Sequence, residues 1–185
     1  MLKKIFNKLL KQYGKQNWWP AETEYEIVVG IILTQNTTWK NVEKALSNLK
    51  RAHMLEPKKI LSCSNQIIEQ LIKPCGFYKQ KTVYLKNITR YYVDLDRNKS
   101  TATLRKELLN IKGIGKESAD SFLLYVLNRP SFVIDAYTKR FVKTFKLCEC
   151  KTYEEFKHFF ESNLPSDVEL YKEFHALIVR WGKEN

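Results

Sequence analysis

LRKELLNIKGIGKESADSFLLYVLNRPSFVIDAYTKRFVKTF, residues 104 to 145, decides the fold. The stretch predicts a helix, a tight turn at Gly113, Ile114 and Gly115, and a second helix from Lys116 to Asn128. A loop with Pro130 and an apolar run over Ser131 to Ile134 follow, and Asp135 then opens a third helix. Glycines keep such a turn tight and let an anion approach without meeting a Cβ. The N–H groups at the next helix start then point at that anion, with the helix dipole behind them. Lys112 and Lys116 add charge beside it. A plainer reading is an ordinary helix-turn-helix corner, in which Gly-x-Gly only permits a close crossing.

Helical signals continue in both directions. Leu2, Ile5, Phe6, Leu9, Leu10 and Tyr13 recur at helical spacing up to Gly14. Tyr25 to Leu33 is apolar on nearly all sides, hence a buried helix ending at TQNTT, residues 34 to 38. Short helices are expected near 57–61 and over 65–72, closed by Pro74 and Gly76. A longer helix carries Tyr84, Ile88, Tyr91 and Tyr92 on one face, and Phe156, Phe160, Phe174 and Trp181 mark two more. Thr23 with Glu26, Thr152 with Glu155 and Ser166 with Glu169 have capping-box spacing. Only Ser131 to Ile134 looks extended, and four residues make no sheet. The fold class is therefore all-α.

The chain has 185 residues, 44% of them hydrophobic, enough for a core without staples. Lys and Arg number 32 against 20 acidic residues, a formal charge of +12 spread along the chain. That balance favours a polyanionic partner, nucleic acid before membrane, because no basic amphipathic tail or long apolar span accompanies it. Cys63, Cys75, Cys148 and Cys150 form no C-x-x-C pair, so neither a zinc ribbon nor a disulfide scaffold is indicated and a reducing compartment fits. The start, MLKKIFNKLLKQYG, lacks the apolar centre of a secretory signal.

LLNIKGIGKESAD followed by RPSFVIDAYTKRF resembles the helix-hairpin-helix and Gly/Pro-rich-loop-Asp signature of the endonuclease III superfamily of DNA glycosylases. GFYKQK (76–81) and LTQNT (33–37) resemble further segments of the family in the same order. The tryptophan-rich start is most similar to the 3-methyladenine DNA glycosylase branch. The resemblance implies two helical lobes around a positively charged cleft. One would comprise residues 21–128, including the hairpin, and the other residues 1–20 with 129–185.

Excision of a base builds positive charge on the sugar as the base leaves. A carboxylate can stabilise that charge and orient or deprotonate the attacking water. Asp135 matches the family's catalytic aspartate, although the residue also suits a plain N-cap. Bifunctional relatives carry a lysine on the second hairpin helix, where this chain has Glu117. Lys116 is its neighbour, but one residue along a helix turns a side chain by about 100°. The expectation is a hydrolytic enzyme without lyase activity.

By the same resemblance, Trp18, Trp19 and Trp39 form the base pocket, with Trp19 and Trp39 the preferred pair, and Gln35 fills the hole left by the extruded nucleotide. Core packing is the commoner fate of tryptophan, and Gln35 equally suits a helix end. His53, His158 and His175 do not cluster and read as surface or partly buried imidazoles. Lys112, Gly113, Ile114, Gly115 and Lys116 are the phosphate-binding hairpin. No cysteine follows Cys150, so no iron–sulfur cluster is expected, and no side-chain metal site is visible. The resemblance implies a monovalent cation on the hairpin backbone.

The reading is thus a monomeric, cytoplasmic base-excision glycosylase, nucleoid-associated in a bacterium. It removes alkylated purines such as 3-methyladenine from double-stranded DNA containing damaged bases and leaves an abasic site. Its rivals are an endonuclease III-like glycosylase for oxidised or mismatched pyrimidines and a DNA-binding module without catalysis.

Overall fold

A computed structural model describes residues 1–185. The chain is helical throughout, with no strand: α1 (Leu2–Tyr13), α2 (Glu24–Leu33), α3 (Trp39–Arg51), α4 (Pro57–Ser62), α5 (Asn65–Ile72), α6 (Tyr78–Val93), α7 (Thr101–Leu109), α8 (Lys116–Ser121), α9 (Ala136–Thr144), α10 (Tyr153–Asn163) and α11 (Val168–Glu184). A 3-10 turn (Lys73–Cys75) leads to α6, and a π-turn (Phe122–Val126) continues α8. No helix is long and apolar enough to cross a membrane.

The chain forms two compact units, one of residues 21–122 and one of residues 1–20 with 123–185. In the contiguous unit, α2 packs on α3 and α6, and α6 also packs on α4 and α5. The apolar run of α2 explains its place: Val28, Val29, Ile32 and Leu33 are all fully buried. Lys81 of α6, only 2% exposed, donates from Nζ to Leu33 O and Cys75 O, both at 2.9 Å. Its ammonium thus sits on the negative end of α2, satisfies a carbonyl the helix leaves open, and ties it to the last residue of the 3-10 turn. Burial, countered by nearby Cys75, holds the Lys81 pKa below the usual lysine range.

In the unit made from both ends of the chain, α11 packs on α1 and α9. Its core is aromatic. Phe132 stacks on Phe160 at 4.2 Å between centroids, and Phe174 meets Phe6, Phe132, Phe141 and Phe160 edge-on. The buried extended run Ser131–Ile134 finds its partners on α10. Glu161 accepts from Phe132 N at 2.8 Å, Tyr153 OH from Ile134 N at 3.4 Å, and Lys157 donates to Ser131 Oγ at 2.6 Å. Polar groups off a buried extended segment are thereby satisfied.

Three details depart from the periodicity. The second hairpin helix keeps α geometry only to Ser121 and widens into the π-turn, whose Phe122, Leu123, Leu124, Tyr125 and Val126 are all buried. An extra residue in the turn redirects side chains that a regular helix would send elsewhere. Asp167, not Ser166, caps α11 by accepting from Leu170 N, whereas Thr152 and Glu155 form the full box. Cys148 and Cys150 are joined by a disulfide across a single residue, a C-x-C spacing outside both the zinc-ribbon and the disulfide-scaffold patterns. Cys63 and Cys75 are free.

Candidate active site

In the contiguous unit the hairpin joins α7 to α8 through a turn in which Ile114 N donates to Ile111 O at 3.0 Å. Gly113 has φ +100, and a Cβ on it would lie 2.1 Å from the Tyr84 ring. That close approach, with the left-handed backbone, requires glycine there. Ile114 is buried and anchors the turn, while Lys112, Gly115 and Lys116 are exposed. Arg105 of α7 binds Asp120 of α8 through two hydrogen bonds, Nε to Oδ1 at 2.8 Å and Nη2 to Oδ2 at 3.1 Å. Asp120 is fully buried, so this fork clamps the two hairpin helices together.

Gln35 lies just past the end of α2, which Thr34 caps. Its Nε2 donates to Gly113 O and to Ser118 Oγ, each at 3.0 Å. Asn87 Nδ2 reaches Lys112 O at 3.2 Å. Gln35 thus ties the TQNTT turn to the hairpin, and Asn87 ties α6 to it. Asn36 sits in the left-handed region at φ 50. Trp39 begins α3 and donates from Nε1 to Glu43 at 2.9 Å. Phe77, also left-handed, precedes α6 and is 66% exposed.

In the other unit Trp18 and Trp19 are half-buried neighbours with ring centroids 5.2 Å apart. Lys183 Nζ stands 6.0 Å over the Trp18 ring, within cation–π range. Trp19 meets Tyr125 of the π-turn edge-on at 5.4 Å.

Asp135 ends the buried extended run and caps α9, accepting from Thr138 N at 2.7 Å through Oδ1. Its Oδ2 lies 3.5 Å from His175 Nε2 on α11, and the carboxylate is 15% exposed. Burial is the largest influence on its pKa and pushes it up. The neighbouring His175 and the Thr138 bonds outweigh that and leave the carboxyl below the usual aspartate range. The group is thus an ionised carboxylate in a largely dry setting. His175 Nδ1 is 2.8 Å from Tyr125 OH, and burial holds the Tyr125 phenol well above its ordinary pKa. The N-cap reading of Asp135 holds, and the cap bond itself helps to keep the charge.

Tyr125 is absent from the sequence reading, and His175, expected as a surface or partly buried imidazole, is buried at 7% exposure beside Asp135. Both carried a signal only in hindsight: Tyr125 lies inside an apolar run, and His175 interrupts the apolar face of α11 between Phe174 and Leu177. Glu117, expected from the resemblance to stand where lyase relatives carry lysine, is exposed on the first turn of α8.

A family model described as HhH-GPD superfamily base excision DNA repair protein matches residues 29–166. A proposed DNA repair glycosylase of Methanocaldococcus jannaschii is 53% identical over 193 residues, with 100% of this chain and 88% of the relative covered. The crystal structure of the H. pylori 3-methyladenine DNA glycosylase (MagIII) bound to 1,N6-ethenoadenine superposes with a TM-score of 0.83 at 32% identity, covering 99% of this chain and 96% of that one. A trapped endonuclease III–DNA covalent intermediate superposes with a TM-score of 0.83 at 17% identity, covering 100% and 85%, and shares the fold.

Proposed function

The chain belongs to the HhH-GPD superfamily of base excision DNA repair proteins, and from that membership we propose that it is a monofunctional glycosylase for alkylated purines, 3-methyladenine first, in duplex DNA. The observation that carries the chemistry is Asp135, a largely buried but still accessible carboxylate kept ionised at the head of α9. Likeness to the H. pylori 3-methyladenine DNA glycosylase over nearly the full length of both chains supports the substrate class.

In this reading the hairpin backbone from Gly113 to Lys116 takes a phosphate, with Lys112 and Lys116 adding charge, and carries no sequence information. The damaged nucleotide leaves the stack. Indole faces of Trp18, Trp19 and Trp39 are the candidates for stacking on the base, and a cationic alkylated purine gains attraction to such rings. The C1′–N bond breaks with its electron pair going to the base. Asp135 opposes the positive charge on the sugar and takes a proton from the water whose oxygen bonds C1′.

Gln35 fills the vacated space after exchanging its bonds to Gly113 O and Ser118 Oγ for bonds to the orphaned partner base. Glu117 cannot form a Schiff base, so water is the nucleophile. Carbonyls of Ile111, Lys112 and Gly113 each accept one N–H and keep a second lone pair. They suit a monovalent cation that would offset phosphate charge, and no step of the hydrolysis needs it.

The test is base release from duplexes carrying 3-methyladenine, other alkylated purines or oxidised pyrimidines, wild type beside Asp135→Asn. Release of alkylated purine by the wild type, with near-normal DNA binding but little release by the variant, is expected. Preference for oxidised pyrimidines would reject the substrate class, and equal behaviour of the two proteins would reject the catalytic role.

A further inference from the structure

We infer that His175, held by Tyr125, is a positioning residue that fixes the carboxylate of Asp135 for attack on the sugar. The inference rests on Asp135 being the catalytic carboxylate.

Three groups from three elements stand in line: Tyr125 on the π-turn, His175 on α11 and Asp135 at the α9 cap. Tyr125 OH and His175 Nδ1 are 2.8 Å apart, and Nε2 and Asp135 Oδ2 are 3.5 Å apart. The histidine is only 7% exposed, and its buried Nε2 has no hydrogen-bond partner, with Asp135 Oδ2 the group standing 3.5 Å away. A residue that merely filled this space would be better as leucine or phenylalanine, because burying an imidazole nitrogen without an acceptor is costly. The one acceptor facing Nε2 is the carboxylate.

Tyr125 makes the arrangement independent of the charge on the ring. With a neutral imidazole the phenol donates to Nδ1, which leaves the hydrogen on Nε2. With an imidazolium, Nδ1–H donates to the phenolic oxygen and Nε2 again carries a hydrogen. In both states an N–H points at Asp135. Oδ1 is meanwhile tied to Thr138 N at 2.7 Å, so one oxygen is held by the start of α9 and the other by the face of α11. A carboxylate restrained at both oxygens cannot rotate away from its target, and misplacement of a reacting group by about 1 Å costs about 100-fold in rate.

The ionisable groups around the imidazole are few. Asp135 and Tyr125 face it directly. Glu173, two residues before it on α11, has an oxygen occupied by Gln16 N at 2.7 Å. From α1, Tyr13 faces Glu184 and Arg180 near the far end of α11. Removing His175 therefore leaves Asp135 with burial opposing its charge and fewer groups favouring it. The acid limb of the reaction should then move to higher pH.

The experiment measures single-turnover base release against pH, with DNA affinity beside it, for wild type, His175→Phe, His175→Gln and Tyr125→Phe. On a duplex with one alkylated purine, His175→Phe should lose about 100-fold in rate. Its acid limb should rise by about one pH unit while DNA affinity stays within about threefold. His175→Gln, whose amide keeps an N–H for Oδ2, should recover part of the loss. Tyr125→Phe should change rate and pH profile in the same direction by less. If His175→Phe does not fold, Tyr125→Phe and His175→Gln decide. An unmoved acid limb in all the folded variants overturns the inference, whether or not the rate falls. Wild type that releases no base from any lesion overturns the functional reading, and this inference with it.

Discussion

Tyr84 lies across Gly113 so closely that a Cβ added to the glycine would sit 2.1 Å from its ring. The hairpin turn and α6 are thus fitted to each other with no room for one more carbon. At φ +100 an alanine would be strained as well as crowded. Gly113→Ala should cost about 3 kcal/mol of stability, from overpacking and backbone strain together. A denaturant melt measures that loss, and a DNA titration should show weaker binding. Adding Tyr84→Ala should relieve the crowding and leave the backbone strain, so the double variant should recover only in part.

Asp120, fully buried, meets the guanidinium of Arg105 through two bonds. Removing the buried carboxylate takes away the charge-assisted fork that joins α7 to α8 and leaves a cavity in its place. Asp120→Ala should destabilise the protein by about 3–5 kcal/mol. The exposed pair of Arg180 and Glu184 should contribute less than about 1 kcal/mol, as exposed ion pairs do. Urea unfolding of Asp120→Ala beside Glu184→Ala checks both, and equal losses would contradict the burial argument.

In the proposed monofunctional reading Glu117 stands where a lyase would need an amine, and Lys116 projects about 100° away from that position around the helix. Borohydride treatment of wild-type protein with abasic or lesion-bearing DNA should trap no covalent adduct. An adduct that disappears in Lys116→Ala would show that the neighbour had taken over.

In the proposed reaction Asp135 works as an anion, and its pKa lies below the ordinary aspartate range. The sign follows directly: activity is full above that depressed pKa and falls as pH drops through it. The acid limb of single-turnover release should therefore lie below the range of an unperturbed carboxylate. The same carboxylate stabilises the fold above the unfolded-state pKa, and that contribution is lost as pH falls through the folded one. A pH series of thermal melts on wild type and Asp135→Asn checks this second half.

Helix positions were legible because apolar residues recur at helical spacing, and the hairpin and Asp135 because their local chemistry is distinctive. Contacts over long separations were not. Gln35 reaches Gly113 across 78 positions and Tyr125 reaches His175 across 50. No local pattern encodes such pairs. The π-turn was hidden for a related reason: Phe122 to Val126 is apolar at every position, so periodicity cannot tell a regular helix from a widened one. Lys81 was invisible too, since a lysine that buries its amine on two carbonyls looks in sequence like any surface lysine.

The division of the chain bears on how the protein is made. Residues 21–122 are contiguous, so that unit, hairpin included, has all its residues once position 122 has emerged from the ribosome. The unit holding Asp135 must wait for α11, because α11 packs on α1 and brings His175 to the carboxylate. An unfinished or C-terminally clipped chain would keep the hairpin and lack an aspartate held for chemistry. Order of synthesis thus separates the part proposed to hold DNA from the part proposed to cut a bond in it, and the second arrives last.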